Sequence, residues 1–226
     1  MTDDFELHSA ATVLLLRDTS DGPEVLMLRR NSKIAFGGAW VFPGGRVDAE
    51  ELDHDELASA RRAAVRECHE EAGLTISVDD LVTWSHWQPP LQSVMSTTRG
   101  PRRRFSTWFF ATAAPGGEVV IDDGEIHEHR WLTPSAAMQL HRAGEIELVP
   151  PTWVTLMQLD HHGDSASAMR WAASQTPPRF HTKHLPAEFP TLTWEPDVFH
   201  AGGGADDPGP RHRLALDPQG WRYERS

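Results

Sequence analysis

The order of apolar and polar residues divides the chain into strand-sized and helix-sized pieces. Residues His8–Arg17 contain the run Ala-Ala-Thr-Val-Leu-Leu-Leu, which reads as a buried strand. The polar stretch Asp18–Pro23 is a turn, and Glu24–Arg30 resumes the strand pattern, so the two form a hairpin. Phe36–Gly45 sets aromatic β-formers between two glycine pairs, with Pro43 enforcing an extended residue before it. Leu81–Trp87, Phe105–Ala113 and Gly116–Ile121 read as strands and Glu128–Leu132 as a short strand end. Ser135–Arg142 and Trp153–Leu159 read as helices, the second following Pro150 and Pro151. The best helix is Glu56–Ala72, entered from the acidic loop Asp48–Asp55. Leu57, Ala60, Ala64, Cys68 and Ala72 recur at spacings of three and four, and Gly73 stands where a left-handed C′ residue belongs.

After Leu159 the character changes. Prolines stand at 177, 178, 186, 190 and 196, and Ala201–Pro210 is rich in Gly, Asp and Pro. The tail still carries Trp171, Phe180, Phe189, Trp194, Phe199, Trp221 and Tyr223, more aromatics than a disordered tail spends. The expected organisation is a domain over 1–159 and an ordered extension over 160–226, with a flexible loop near 201–210. The extension packs on its own core or forms a homodimer surface.

Charge narrows the function classes. The 226 residues carry 21 Lys+Arg against 33 Asp+Glu, a net charge of −12, which argues against nucleic acid as a partner. No apolar run approaches the roughly 20 residues of a membrane span, and the acidic N-terminus lacks signal-peptide features, so a cytoplasmic protein is expected. The single cysteine, Cys68, excludes an internal disulfide and any multi-cysteine metal site.

The sharpest chemical signal is Arg66-Glu-Cys-His-Glu-Glu-Ala-Gly-Leu74, preceded by Phe42-Pro-Gly-Gly45. On a helix Glu70 lies about 60° to one side of Glu67 and Glu71 about 40° to the other. Three carboxylates therefore crowd one turn. Like charges at this spacing cost about 0.2–0.5 kcal/mol per pair unless a cation offsets them. Arg66 offsets part of the cost. An oxygen-only cluster also suits Mg²⁺ or Mn²⁺ rather than zinc. A solvated acidic face with one arginine partner is the bland alternative.

The two segments together resemble the signature of the Nudix hydrolase family. The resemblance implies an α/β fold, an α/β/α sandwich with a mixed sheet. It also implies hydrolysis of a nucleoside diphosphate linked to another group, using Mg²⁺ or Mn²⁺. Carried onto this chain, Glu67, Glu70 and Glu71 become metal ligands, aided by the Gly44 carbonyl. Glu67 is the candidate for activating the attacking water, and Arg66 holds the carboxylates. Glu125 and Glu128 are candidates for a further ligand, with Glu128 preferred.

The chain departs from the family pattern in two places. The family has Gly, five residues, Glu, seven residues, Arg; here Gly45 to Arg66 is longer by seven, so the role of that glutamate passes to Glu51 or Glu56 or is absent, and is left unassigned. Cys68 occupies a slot usually aliphatic, a mild change for a buried small side chain.

A weaker resemblance is to the coenzyme A and acyl-CoA diphosphatases within the family. It rests on Arg29-Arg30, the enlarged loop, and Pro101-Arg-Arg-Arg-Phe-Ser-Thr-Trp-Phe-Phe110; Lys33-Ile34 stand where that subgroup has Leu-Arg. Arg29, Arg103 and Arg104 are the candidates for binding a substrate phosphate, and Trp40 or Trp87 for stacking on a base. An ADP-ribose, nucleotide-sugar or nucleotide-pool pyrophosphatase is the alternative within the reaction class, and a non-cleaving nucleotide sensor the alternative outside it. The histidine pairs, such as His127 and His129, lack the spacing of a zinc motif and read as surface residues.

Overall fold

The computed structural model describes residues 7–31, 38–90, 104–122 and 124–226. The chain folds into two compact units: a larger one of Ser9–His86 and Thr107–Pro178, and a smaller one of Met1–His8, Trp87–Ser106 and Arg179–Ser226.

The apolar-rich segment near the N-terminus makes the expected hairpin, β1 (Leu7–Thr19) and β2 (Gly22–Arg30), antiparallel with Thr19 opposite Gly22. Next come β3 (Ala39–Val41), β4 (Gly44–Arg46), a 3₁₀ turn at Ala49–Glu51 and α1 (Glu56–Ala72). Then follow β5 (Val82–Gln88), β6 (Arg104–Ala113), β7 (Ile126–Leu132), α2 (Pro134–Arg142), β8 (Glu147–Leu148), α3 (Pro150–Leu159) and α4 (Ser165–Ser174). The sheet of the larger unit runs β8-β3-β2-β1-β6-β5, with β4 on β1 and β7 on β2. β3 pairs β8 in parallel and β2 antiparallel, so the sheet is mixed.

Alternation along the hairpin decides which residues face α1. Ala11, Val13, Leu15, Leu26 and Leu28 join Ala60, Ala63, Ala64, Cys68 and Ala72 of α1 in one buried cluster. Leu14, Leu16, Val25 and Met27 are equally buried but point to the other face, where α2 packs on β2 and α3. A strand buried on both faces explains why the run from Ala10 is continuously apolar. The ends of α1 match the sequence reading: Asp55 accepts the Leu57 N–H at 2.9 Å, and Gly73 closes the helix at φ +68°, where other residues are strained.

One reading changes. Gly116–Ile121 forms no strand; Val119 and Ile121 pack against the core cluster, and the Val120 N–H bonds the Ala72 carbonyl at 2.9 Å. Its apolar alternation serves packing on the end of α1, not a ladder. Helix α4 lies in the larger unit, which runs to Pro178. Asp18 caps α4 through the Ser165 N–H and hydroxyl at 2.7 and 2.8 Å, and Trp171 packs on Trp84.

The smaller unit contains β9 (Arg179–His181) and an antiparallel sheet of β10 (Lys183–Leu185), β11 (Thr191–Thr193), β12 (His212–Ala215) and β13 (Arg222–Arg225). Phe180, Trp194 and His212 are buried in it, and Trp87 stacks on Phe180 at 3.9 Å. Asp197, fully buried, accepts bonds from the Phe199 and His212 N–H groups and two from Arg213. The stretch 201–210 is tied down: the Asp207 carboxylate accepts the Gly204 N–H at 2.7 Å, and its carbonyl accepts from Arg211 at 2.8 Å. No helix among the described residues is long and apolar enough to cross a membrane.

Candidate active site

Helix α1 brings Arg66, Glu67, Glu70 and Glu71 to one side, and β4 delivers two glycines against them. The Gly44 N–H donates to Glu71 Oε2 at 2.8 Å. A Cβ on Gly44 would overlap the Ala11 carbonyl, and one on Gly45 would overlap the Glu67 carboxylate. Only glycine lets strand and helix approach this closely.

Arg66 organises the acidic turn. Its Nη1 donates to Glu67 at 3.0 Å and to Glu70 at 2.7 Å, while its Nη2 bonds the Arg46 carbonyl at 2.8 Å. The same guanidinium grips Glu51 twice, at 2.9 and 3.2 Å. Burial disfavours its charge, but the bonds to Glu51, Glu67 and Glu70 outweigh that and hold it above its ordinary value. Glu51 also accepts the Asp48 N–H at 2.8 Å. Of the two glutamates left open by the seven-residue insertion, Glu51 is therefore the one joined to Arg66. Glu56 instead accepts the Trp108 indole N–H at 3.3 Å. The extra residues follow Glu51 and leave the acidic turn undisturbed.

The carboxylates differ in environment. Burial raises Glu67 above the ordinary carboxylate range against the pull of Arg66, with Glu70 and Glu125 adding repulsion. Glu71, 4% exposed, is pushed up to about 8 by burial, which the Gly44 N–H and Arg30 only partly oppose. Its Oε1 is buried without a hydrogen bond, and Arg30 Nη1 stands 4.0 Å away. Cys68 is fully buried and pushed up to about 12, so it is an inert filler of the core.

As they stand, no three acidic, histidine or cysteine side chains among the described residues are arranged to hold a metal ion; Arg66 keeps Glu67 and Glu70 on its own nitrogens. The donors nevertheless fit a hard divalent cation. All are oxygens, Glu71 has one buried oxygen with no bond, and Gly45 keeps the space beside the Glu67 carboxylate free of any side chain.

Around this centre the structure sorts the other candidates. Arg29 and Arg30 are consecutive on β2 and face opposite sides. Arg30 lies on the α1 side beside Glu71 and Glu125, its Nη2 3.5 Å from Glu125. Arg29 lies on the other side, cross-strand from Glu128 and from Trp40. Glu128 bonds Arg130 at 2.7–2.9 Å and lies 3.6 Å from Arg29. The preferred further ligand therefore sits away from the acidic turn, and Glu125 sits near it. A shift in the β2–β7 pairing at Arg29/Arg30 and the bond from the Asn31 N–H to the Glu125 carbonyl at 2.7 Å place it there.

Trp40 is 2% exposed with Arg130 over its ring, which leaves no face for a base, and Trp87 is stacked within the smaller unit. Arg104 opens β6 in the smaller unit, and Arg103 lies outside the described residues. Arg30 enters the sequence reading only as half of Arg29-Arg30, without a site role, although the strand pattern held the signal: it shares the parity of Leu26 and Leu28, which face α1.

A family model for the NUDIX domain matches residues 6–151. The chain is similar to acyl-coenzyme A diphosphatase NUDT19 of Xenopus laevis, with 33% identity over 84 residues. That match covers 36% of this chain and 20% of the relative, so the chain spans about a fifth of that protein's length. In fold it is similar to a NUDIX hydrolase from Alicyclobacillus acidocaldarius, with a TM-score of 0.64, 21% identity, and coverage of 74% of this chain and 96% of that one. A MutT NUDIX hydrolase from Burkholderia pseudomallei aligns with a TM-score of 0.49 and 18% identity over 67% of this chain and 97% of that one.

Proposed function

The chain belongs to the Nudix hydrolase family, and from that premise we propose that it is a divalent-metal-dependent diphosphatase cleaving a nucleoside diphosphate linked to another moiety, with CoA or an acyl-CoA as the first candidate substrate. The observation that carries the reaction class is Glu71: a buried carboxylate fixed by the Gly44 N–H, with its other oxygen unbonded beside Glu67. The CoA reading is supported by the partial likeness to an acyl-coenzyme A diphosphatase.

Glu67, Glu70, Glu71 and the Gly44 carbonyl would hold Mg²⁺ or Mn²⁺. Such an ion, when bound, would neutralise charge on the diphosphate oxygens and acidify a water molecule. Glu67 is also the candidate for orienting or deprotonating the attacking water. The water oxygen bonds to one phosphorus as its bond to the bridging oxygen breaks, and the bridging oxygen leaves with the other phosphate. Arg66, braced by Glu51, keeps Glu67 and Glu70 in place. Arg30, rather than Arg29, meets a phosphate oxygen at the edge of the cleft.

The test is incubation with Mg²⁺ or Mn²⁺ and CoA, acyl-CoAs, ADP-ribose, nucleotide sugars and nucleoside triphosphates, with products resolved by mass. Release of 4′-phosphopantetheine from CoA, abolished by EDTA and by Glu70→Gln, is the expected result. Cleavage of another substrate alone keeps the reaction class and removes CoA. Metal-independent binding with no turnover would replace the enzyme by a nucleotide sensor.

A further inference from the structure

Two arginines, Arg66 and Arg30, border the acidic turn, and they are held differently. Arg66 is bonded to Glu51, Glu67, Glu70 and the Arg46 carbonyl at 2.7–3.2 Å. Arg30 stands farther from its acids: its Nη2 lies 3.5 Å from Glu125 Oε2 and its Nη1 4.0 Å from Glu71 Oε1. Only 19% of the Arg30 side chain is exposed, and its Nε is buried without a hydrogen bond.

The backbone around this pair of contacts is fixed. The Arg30 carbonyl accepts the Gly38 N–H at 2.9 Å, and the Glu125 carbonyl accepts the Asn31 N–H at 2.7 Å. Asp122 ties the turn ahead of β7: its carboxylate accepts the Gly124 N–H at 2.9 Å and its carbonyl the Ile126 N–H at 3.0 Å. Rotation of side chains alone therefore separates Arg30 from its two acids.

Neither side of the contact is well satisfied. Glu71, buried, keeps an unbonded oxygen facing a guanidinium nitrogen beyond hydrogen-bond reach, and Arg30 keeps a buried, unbonded N–H. Buried charged groups left part-satisfied are costly. Each gains from a better partner: a hard cation for the carboxylate oxygen, an oxyanion for the guanidinium.

Resting on the diphosphatase reading, we propose that Arg30 is a displaceable counter-ion. It neutralises Glu71 and Glu125 while the acidic turn holds no metal, and turns to a substrate phosphate once those carboxylates are taken up by a divalent cation. Arg66, bonded at short range, stays in place. Arg30 thereby opposes metal binding in the free protein and favours phosphate binding in the loaded one, a coupling that is reciprocal between the two ligands.

The experiment sets wild type against Arg30→Gln, which removes the charge at similar size, and Arg30→Lys, which keeps it. Mn²⁺ affinity of the free protein is read by electron paramagnetic resonance. Affinity of the Mn²⁺-saturated protein for α,β-methylene-ADP, which is not cleaved at its P–C–P bridge, is read by calorimetry. Arg30→Gln is expected to bind Mn²⁺ at least about fivefold tighter, and Arg30→Lys to stay within about twofold of wild type. The same Arg30→Gln protein is expected to bind the analogue at least about tenfold more weakly. A structural defect would weaken both ligands, so the opposite signs carry the inference. Unchanged or weaker Mn²⁺ binding in Arg30→Gln, or an unchanged affinity for the analogue, overturns the role of Arg30 alone while wild-type turnover stands. Failure of wild type to bind Mn²⁺ overturns the metal-dependent reading and this inference with it.

Discussion

The Glu67 carboxylate occupies the space in which a Gly45 side chain would begin. Backbone and acid are in contact here, so the position of one decides the position of the other. Gly45→Ala is expected to displace Glu67 and cut kcat by about 10²-fold, the scale of a 1 Å misplacement at a reacting centre. Melting temperature should move little, because β4 is short and lies at the edge of the core. Wild-type kcat in the variant would sink the assignment of Glu67 as the water-activating group.

Glu51 and Glu56 separate cleanly. Glu51 braces Arg66 through two bonds, so Glu51→Gln should lower kcat/KM about tenfold and loosen the helix face. Glu56→Gln should stay within about twofold of wild type, since Glu56 bonds Trp108 and lies near His86 rather than Arg66. These ratios follow the worth of charge-assisted bonds, about 1.5–3 kcal/mol each before solvent screening. Steady-state kinetics on both variants decides it, and equal losses would remove Glu51 from the site.

The smaller unit has an acid-sensitive anchor. Burial works against the Asp197 charge, but Arg213 and two backbone N–H groups outweigh it and hold the carboxyl below its ordinary value. A depressed carboxyl adds stability that is present above the unfolded value, near 3.8, and lost as pH falls through the folded one. His212 is depressed chiefly by burial, so the unfolded chain binds its proton first and stability falls as pH drops below about 6.5. Thermal melts from pH 7 to pH 3 should therefore show a falling melting temperature. Asp197→Asn should cost about 3–5 kcal/mol at neutral pH, the scale for breaking a buried pair, and should flatten the lowest part of that slope.

Cys68 offers a control. Buried and pushed up to about 12, its thiol should resist a maleimide at pH 8 in the folded protein and react once the chain is unfolded in guanidinium. Labelling of the native protein at the unfolded rate would contradict the packing of α1.

Much of the fold follows from local patterns. The apolar spacing from Leu57 to Ala72 and the αL glycine after it give α1 its observed limits, because capping and helical periodicity act within a few residues. The hairpin of β1 and β2 follows equally from a turn between two apolar runs. α4 is hard to see in the sequence because its buried side is only Ser165, Ala168 and Ala172, too small to stand out from a polar stretch.

Within the site, the acidic helix turn and the glycines opposite it are properties of the sequence: spacing alone puts Glu67, Glu70 and Glu71 on one face, whatever surrounds them. Tertiary structure decided which of two adjacent arginines and which of two loop glutamates belong with that face. Arg30 and Glu125 meet it, and Arg29 and Glu128 turn away, because strand parity and a one-residue shift in the β2–β7 pairing assign sides that only the assembled sheet defines. Burial decided the rest. Trp40 is a plausible stacking surface until strands on both sides and Arg130 above close over it, and enclosure of that kind depends on long-range pairing, not on neighbours in the chain.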